Sequence, residues 1–410
     1  MPMDPKTAQD RIGQRIRTLM ERVNTAKANN LYFYNVPVEE FQGGARVRVG
    51  GKEMLMFASY SYLGLIGHPR INEAAKKAID KYGTGTHGVR SLAGTLPVHQ
   101  ELEETIAEFK GAEGAVVFSS GYVTNLSVIA ALVGRGDYVF SDKLNHASIV
   151  DGCLMSGAKF VRFRHNDMDS LEQRLQSVPS DATKLIVADA VFSMDGDIID
   201  LPRLVELARK YNAWLMIDEA HSVGVLGKTG RGIEEHFGLG DVIDIKMGTL
   251  SKTIPSVGGY IAGKKDLVEY IRHASRAYIF SAALPPAQAA AAAEAFRVIM
   301  DEPWRVEKLQ ANAQHFIQGL KERGFNTLFT ETAIVPVLCG EDETAFRMTA
   351  ESFKRGIFVL PVISPAVPVG MARLRATVTT AHEPEDIEYA MDVFVDAAQA
   401  VGLPLRQPTP

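Results

Sequence analysis

Between about residue 70 and residue 300 the chain alternates helix-like segments with short apolar runs. The runs fall at 114–119, 138–141, 160–163, 184–189, 214–218, 243–247 and 259–263. Runs this short carry apolar residues on both faces, which predicts strands buried from both sides. Helices between them predict a mainly parallel sheet covered on each face, an α/β architecture. Residues 6–28 place Ile12, Ile16, Leu19, Met20 and Val23 on one helical stripe. Residues 45–58 alternate around Gly50-Gly51 and predict two short strands joined by a turn. The alanine run 289–293 reads as a well-packed helix, because alanine is the best helix former. From about 305 the pattern changes to a long helix, strands near 325–338 and 371–378, and helices between and after. The expected division is an N-terminal helix with short strands over 1–60, a large α/β domain over 61–300, and a small C-terminal α+β domain over 301–410.

Composition narrows the function classes. Hydrophobic residues make up 46% and charged residues 23% of 410 residues, ordinary for a soluble globular chain. A formal charge of −5, from 44 basic and 49 acidic side chains, gives no electrostatic reason to expect a nucleic-acid partner. Cys153 and Cys339 are the only cysteines, too few for a disulfide framework and without histidines nearby for a metal site. The start, Met1-Pro2-Met3-Asp4-Pro5, leads into a mixed-charge helix rather than an apolar leader. The most apolar stretch, 282–300, is interrupted by Pro285, Pro286, Gln288, Glu294 and Arg297, and does not predict a membrane span. A soluble, cytoplasmic protein is expected.

Four short patterns fail on context. Gly83-Thr84-Gly85-Thr86-His87-Gly88 matches a dinucleotide fingerprint, but a helix precedes it where a strand is required. Gly227-Lys228-Thr229 resembles the end of a phosphate loop, yet Ser222 stands where its first glycine must be. Without that loop, Asp218-Glu219-Ala220-His221 is not a helicase magnesium box. Asn125-Leu126-Ser127 matches a glycosylation acceptor by chance, in an apolar region of a chain with no secretion signal.

A different grouping carries chemistry. The run 214–218 ends in Asp218, which puts a carboxylate at the carboxyl end of a buried strand. The run 243–247 leads into Gly248-Thr249-Leu250-Ser251-Lys252, an amine flanked by hydroxyls at the end of another strand. Ligands of open parallel sheets bind at those ends. A lysine in a hydroxyl-rich turn suits Schiff-base formation, and the hydroxyls suit a phosphate. An opposing carboxylate can hold a pyridinium nitrogen protonated. Pyridoxal 5′-phosphate needs these three partners.

On these residues, and on Tyr62-Leu63-Gly64-Leu65, His99-Gln100-Glu101-Leu102-Glu103, Asn145-His146-Ala147-Ser148, Val191-Phe192-Ser193-Met194-Asp195-Gly196, Asp218-Glu219-Ala220-His221-Ser222-Val223-Gly224 and Ala372-Arg373-Leu374-Arg375, the chain resembles the α-oxoamine synthase family of fold-type I pyridoxal-phosphate enzymes. The likeness spans roughly 30–400. It implies a PLP-dependent acyltransferase that condenses a small amino acid with an acyl thioester, releasing carbon dioxide and a free thiol and leaving an α-amino ketone.

The resemblance implies roles residue by residue. Lys252 matches the Schiff-base lysine, and Asp218 the partner of the ring nitrogen. His221 matches the histidine at the cofactor's phenolic oxygen, assisted by Ser193. His146 matches the imidazole stacked on the ring. Gly121 and Tyr122 match the turn whose amides hold the phosphate, and Thr249 its hydroxyl. Ser281 matches a segment lent by the partner subunit, although Ala282 and Ala283 stand where relatives often carry a hydroxyl or amide. Arg375 matches the guanidinium that grips the substrate carboxylate; Arg373 suits a structural salt bridge. A homodimer with shared active sites is therefore expected, with no metal. Many relatives have asparagine where this chain has Tyr60. An aromatic there, as a substrate-binding residue, and the stretch 356–368 are most similar to bacterial serine palmitoyltransferases. That points to a long-chain acyl donor with serine, glycine or alanine. A 2-amino-3-ketobutyrate ligase, an 8-amino-7-oxononanoate synthase and a fold-type I aminotransferase stay open, as do acyl-coenzyme A and acyl carrier protein as donors.

Overall fold

The computed structural model describes residues 10–406. Seven strands form the central sheet, in the order Gly114–Phe118, Gly259–Gly263, Ile245–Thr249, Trp214–Asp218, Lys184–Asp189, Tyr138–Asp142 and Lys159–Phe163. Gly259–Gly263 is antiparallel to both neighbours and the pairs beyond it are parallel. The mainly parallel sheet expected from the apolar runs is thus present, each run lying within two residues of a strand. Lys184–Asp189 and Ile245–Thr249 are buried at every position. Their alternate residues feed separate cores, Ile186 and Ala188 one face, Leu185 and Val187 the other.

The alanine run lies in the helix Pro286–Asp301, where Ala289, Ala291, Ala292, Ala293 and Ala295 are buried. Their small side chains let that helix lie against Pro69–Tyr82 and Pro97–Lys110 on one face of the sheet. Gly83 to Gly88 follow Pro69–Tyr82 as a loop without regular structure, as the failed fingerprint implied.

The hairpin is present as Arg46–Val49 and Lys52–Met56, turned by Gly50 and Gly51 at φ +57° and +72°. Lys52–Met56 also pairs in parallel with Ile357–Phe358 from far along the chain. A three-stranded antiparallel sheet places Ala372–Thr377 between Ile334–Gly340 and Leu360–Val362. The strand expected near 325–338 begins only at Ile334. Before it, Leu328 adopts φ +54°, and the hydroxyls of Thr330 and Thr332 donate to backbone carbonyls, which folds 325–333 into a loop.

The first helix is Arg11–Ala28, and 6–9 lie outside the described residues. None of its side chains is buried, and Ile12, Ile16, Leu19 and Met20 are exposed. No helix among the described residues is long and apolar enough to cross a membrane.

One imidazole ties three loops at the carboxyl ends of the strands. His165 Nδ1 lies 3.0 Å from Asp142 Oδ1 and Nε2 lies 3.0 Å from Asp197 Oδ2. Burial alone pulls its pKa down, but the two carboxylates outweigh that and hold it at about 10. A raised pKa stabilises the fold fully below the unfolded value and loses that contribution as pH rises through about 10. Thermal melts of His165→Gln should therefore fall below the parent by about 2 °C or more at pH 7. The gap should narrow as the pH is raised through about 10. A pH-independent gap would contradict the charged tether.

Candidate active site

Asp218 ends its strand almost fully buried, at 4% exposure. Its Oδ1 accepts from the Ala220 amide at 2.9 Å and its Oδ2 from Asn125 Nδ2 at 2.7 Å. Asn125 also donates to Ser148 Oγ, at 2.9 Å, while its own side-chain oxygen has no partner. Asp189 stands abreast of Asp218 in the strand register. Burial, and then the Asp218 charge, push its pKa well above the usual carboxylate range. Its Oδ2 accepts from the His146 amide at 2.8 Å, which fixes His146 at the start of the helix Ala147–Ser156. Desolvation lowers the His146 pKa, with Asp218 opposing and Lys252 assisting.

The helix Gly121–Leu132 begins against the end of Ile245–Thr249. Ser120 caps it, accepting from the Val123 amide, so the first amides remain free at its positive end. Gly121 is required by contact, because a Cβ there would sit 2.9 Å from Thr249 Oγ1. Thr249 Oγ1 lies 3.0 Å from Ser251 Oγ. Tyr122 is exposed, donates to Asp151, and sets its ring edge-on to His146 at 6.1 Å.

Lys252 Nζ lies 2.9 Å from His221 Nε2, and His221 Nδ1 lies 2.6 Å from Tyr62 Oη. Burial pulls the Lys252 pKa to about 8, against the attraction of Asp218 and Asp189. The same burial, with the Lys252 and Arg375 charges, holds His221 well below its usual value and therefore neutral. Tyr62 is pushed up to about 12, so it keeps its proton. In this chain a protonated Lys252 donates to Nε2 and leaves the imidazole proton on Nδ1, facing the phenol oxygen. An unprotonated amine can accept from Nε2, and the phenol then donates to Nδ1. The His221 tautomer follows the charge on Lys252.

Arg375 lies in the middle of Ala372–Thr377, 6% exposed. Its Nε donates to the Ser193 carbonyl at 2.6 Å and its Nη1 to Thr377 Oγ1 at 3.3 Å, while Nη2 has no hydrogen-bond partner among the described residues. Tyr60 stands between the two cations, its ring centre 4.8 Å from the Arg375 guanidinium and 5.9 Å from Lys252 Nζ. Arg373 points elsewhere. It donates to Asp195 Oδ1 at 2.7 Å and to the Met194 carbonyl, the structural ion pair expected for it.

Asp218, His221, Lys252, His146, Tyr60, Arg375, Thr249, Gly121 and Tyr122 thus gather around the carboxyl ends of the strands, with Ser193 joined through its backbone. Ser281 is not brought in by any hydrogen bond among the described residues. It follows the helix Arg276–Phe280, and its neighbours Ala282 and Ala283 bridge to Val89 and Gly88. Sequence reasoning gave no role to Tyr62, Asn125 or Asp189. Asn125 was detectable in principle, since it lies four residues after Gly121 on one helix face. A cavity larger than the one at Lys252, about 1080 Å³ and lined by residues such as Leu226, Gln310 and Glu331, contains none of these side chains.

The chain matches the family described as aminotransferase class I and II over residues 52–394. It is 44% identical over 377 residues to an 8-amino-7-oxononanoate synthase of Thermoanaerobacter pseudethanolicus, covering 92% of this chain and 95% of that one. It is 43% identical over 373 residues to a serine palmitoyltransferase of Sphingobacterium spiritivorum, covering 91% and 93%. Its structure is similar to that of a serine palmitoyltransferase from S. paucimobilis with a bound PLP–myriocin aldimine, with a TM-score of 0.93 and 36% identity over 95% of this chain and 99% of that one. The chain belongs to the aminotransferase class I and II family, and within it to the α-oxoamine synthases.

Proposed function

We propose that this protein is a PLP-dependent acyltransferase that joins serine, glycine or alanine to an acyl thioester, releasing carbon dioxide and the thiol and yielding an α-amino ketone. A serine palmitoyltransferase-like reaction is favoured. The observation that carries the reading is a lysine amine with its pKa drawn to about 8, set beside a neutral imidazole, near a buried strand-end aspartate and an arginine with one free nitrogen.

The residues fit pyridoxal 5′-phosphate. Among the described residues the buried Asn125 side-chain oxygen and Arg375 Nη2 have no hydrogen-bond partner. Gly121 lies so close to Thr249 that a Cβ there would crowd its hydroxyl at 2.9 Å. When bound, the cofactor supplies a carbonyl carbon for covalent attachment to an amine and a sink for the electrons of a carbanion. Lys252 would be the attachment point, Asp218 would serve the ring nitrogen and His146 the ring. His221 and Ser193 would serve the phenolic oxygen. The amides of Gly121 and Tyr122, with Thr249 and the partner's copy of Ser281, would hold the phosphate.

The chain's own groups then divide the work. Arg375 and Tyr60 bind the amino acid, the free Nη2 taking its carboxylate in a charge-assisted bond. With its lowered pKa, Lys252 Nζ is unprotonated often enough near neutral pH to take the proton from the substrate Cα and later return it. Before the cofactor is bound, His221 accepts or donates at Nε2 as that charge changes, with Tyr62 completing the exchange at Nδ1; with the cofactor bound, Nε2 would be released to its phenolic oxygen while Tyr62 keeps Nδ1. Asp218 is kept in place by Asn125 and the Ala220 amide throughout.

A homodimer with shared sites and a cytoplasmic location complete the proposal; either acyl-coenzyme A or an acyl carrier protein supplies the acyl group. The support for a dimer is apolar exposure: Leu92 is 84% exposed, Phe280 72% and Met155 63%, in addition to the uncovered stripe of the first helix.

Carboxyl-labelled serine with palmitoyl thioester should release labelled carbon dioxide and free thiol in equal amounts; transamination without thiol release would contradict the proposal. Lys252→Ala should lose turnover by roughly a thousandfold or more and fail to develop visible absorbance when given the cofactor. Arg375→Lys should lower kcat/KM for the amino acid by about tenfold to a hundredfold, chiefly through KM, because one ammonium cannot hold the Ser193 carbonyl and Thr377 Oγ1 in the guanidinium's planar geometry and still present a donor to the carboxylate. Covalent capture of added cofactor by the cofactor-free protein should accelerate as pH rises through about 8. A rate still climbing steeply above pH 10 would mean an ordinary lysine.

A further inference from the structure

The helix Ala147–Ser156 is capped by an imidazole. His146 Nδ1 accepts from the Ser148 amide at 3.3 Å. The same nitrogen lies 2.8 Å from Ser148 Oγ. Ser148 Oγ accepts from Asn125 Nδ2 at 2.9 Å, and Asn125 Nδ2 also donates to Asp218 Oδ2 at 2.7 Å. Asn125 and Ser148 are each 1% exposed. Their two helices touch so closely that a Cβ on Gly152 would stand 2.8 Å from the Asn125 carbonyl oxygen.

These four groups leave one arrangement of protons. A carboxylate only accepts, so Asp218 draws the NH2 end of the Asn125 amide toward itself, and the second N–H of that end goes to Ser148 Oγ. The hydroxyl then has one proton to give and Nδ1 within reach to take it. The Ser148 amide, which can only donate, bonds to the same nitrogen. Nδ1 therefore carries a lone pair and the ring proton sits on Nε2. The charged and titratable groups around the ring are Asp218, Asp189, Lys252 and His221, and on the helix side Tyr122 with Asp151. We propose that Asn125 and Ser148 are positioning residues for His146: they pass the orientation demanded by Asp218 to the imidazole and hold it as the single tautomer protonated at Nε2. Both donors at Nδ1 bond to a lone pair that protonation would remove, so they also keep the ring uncharged. An uncharged ring can lie against a cofactor ring whose nitrogen is protonated, where an imidazolium would be repelled. That consequence rests on the cofactor placement proposed above and deepens it.

The test titrates the full-length protein, freed of cofactor and isotopically labelled at its histidine nitrogens, by NMR. The His146 signals are those lost in His146→Gln. They should show a proton on Nε2, a bare Nδ1 and a midpoint below the ordinary histidine value. Ser148→Ala should raise that midpoint by roughly half a pH unit or more. Ser148→Cys, similar in size and a weaker donor, should fall between Ser148→Ala and the parent. Asn125→Leu should raise the midpoint by less than Ser148→Ala. In the holoenzyme, the acid limb of kcat/KM should move up with the midpoint. A proton on Nδ1 in the parent, or a midpoint left in place by Ser148→Ala, overturns the proposal whatever the protein catalyses. A midpoint unmoved in Asn125→Leu removes Asp218 from the chain of bonds and overturns it too. If the spectra come out as expected but no thiol is released with serine, glycine or alanine, the condensing activity falls and the positioning role stands.

Discussion

Drawing a lysine amine out of water is expensive for its charged form, and the carboxyl edge of the sheet is arranged around that cost. Among the described residues Lys252 has only neutral His221 within hydrogen-bond distance, and its carboxylate neighbours attract it without an ion pair. A direct salt bridge there would raise the amine's pKa and end its use as a base or nucleophile. The aspartates remain useful because each is occupied: Asp218 by Asn125 and the Ala220 amide, Asp189 by the His146 amide. The active edge is electrostatically tense by construction, and His165, fixed between Asp142 and Asp197, stiffens the loops that carry it.

Much of this was legible in the residues. Apolar runs bounded by helices located all seven strands of the large sheet, because a strand buried on both faces admits little else in its sequence. Asp218 and Lys252 could be read as strand-end groups for the same reason. What escaped was decided by contacts across long stretches of chain. Tyr62 reaches His221 over 159 residues and Asn125 reaches Asp218 over 93, and no local pattern encodes either meeting. The late start of Ile334–Gly340 has a local cause that periodicity does not register. Threonine hydroxyls compete for the backbone carbonyls and Leu328 turns left-handed.

The division between Arg373 and Arg375 illustrates a third kind of information. Both alternate onto the same face of one strand, and both are buried. Asp195 neutralises the first and leaves the second with a nitrogen to spare. A sequence motif containing both arginines assigns the free one only when the partner of the other is known.

Pairing between Lys52–Met56 and Ile357–Phe358 has a mechanical corollary. The Thr377 amide also donates to the Phe57 carbonyl, three residues before Tyr60 and two after Arg375. The aromatic ring and the guanidinium are therefore clamped to one rigid strip, although more than 300 residues of chain separate them. A displacement of either strand would carry the other with it, so the spacing between the Tyr60 ring and the Arg375 guanidinium is held by the backbone of both.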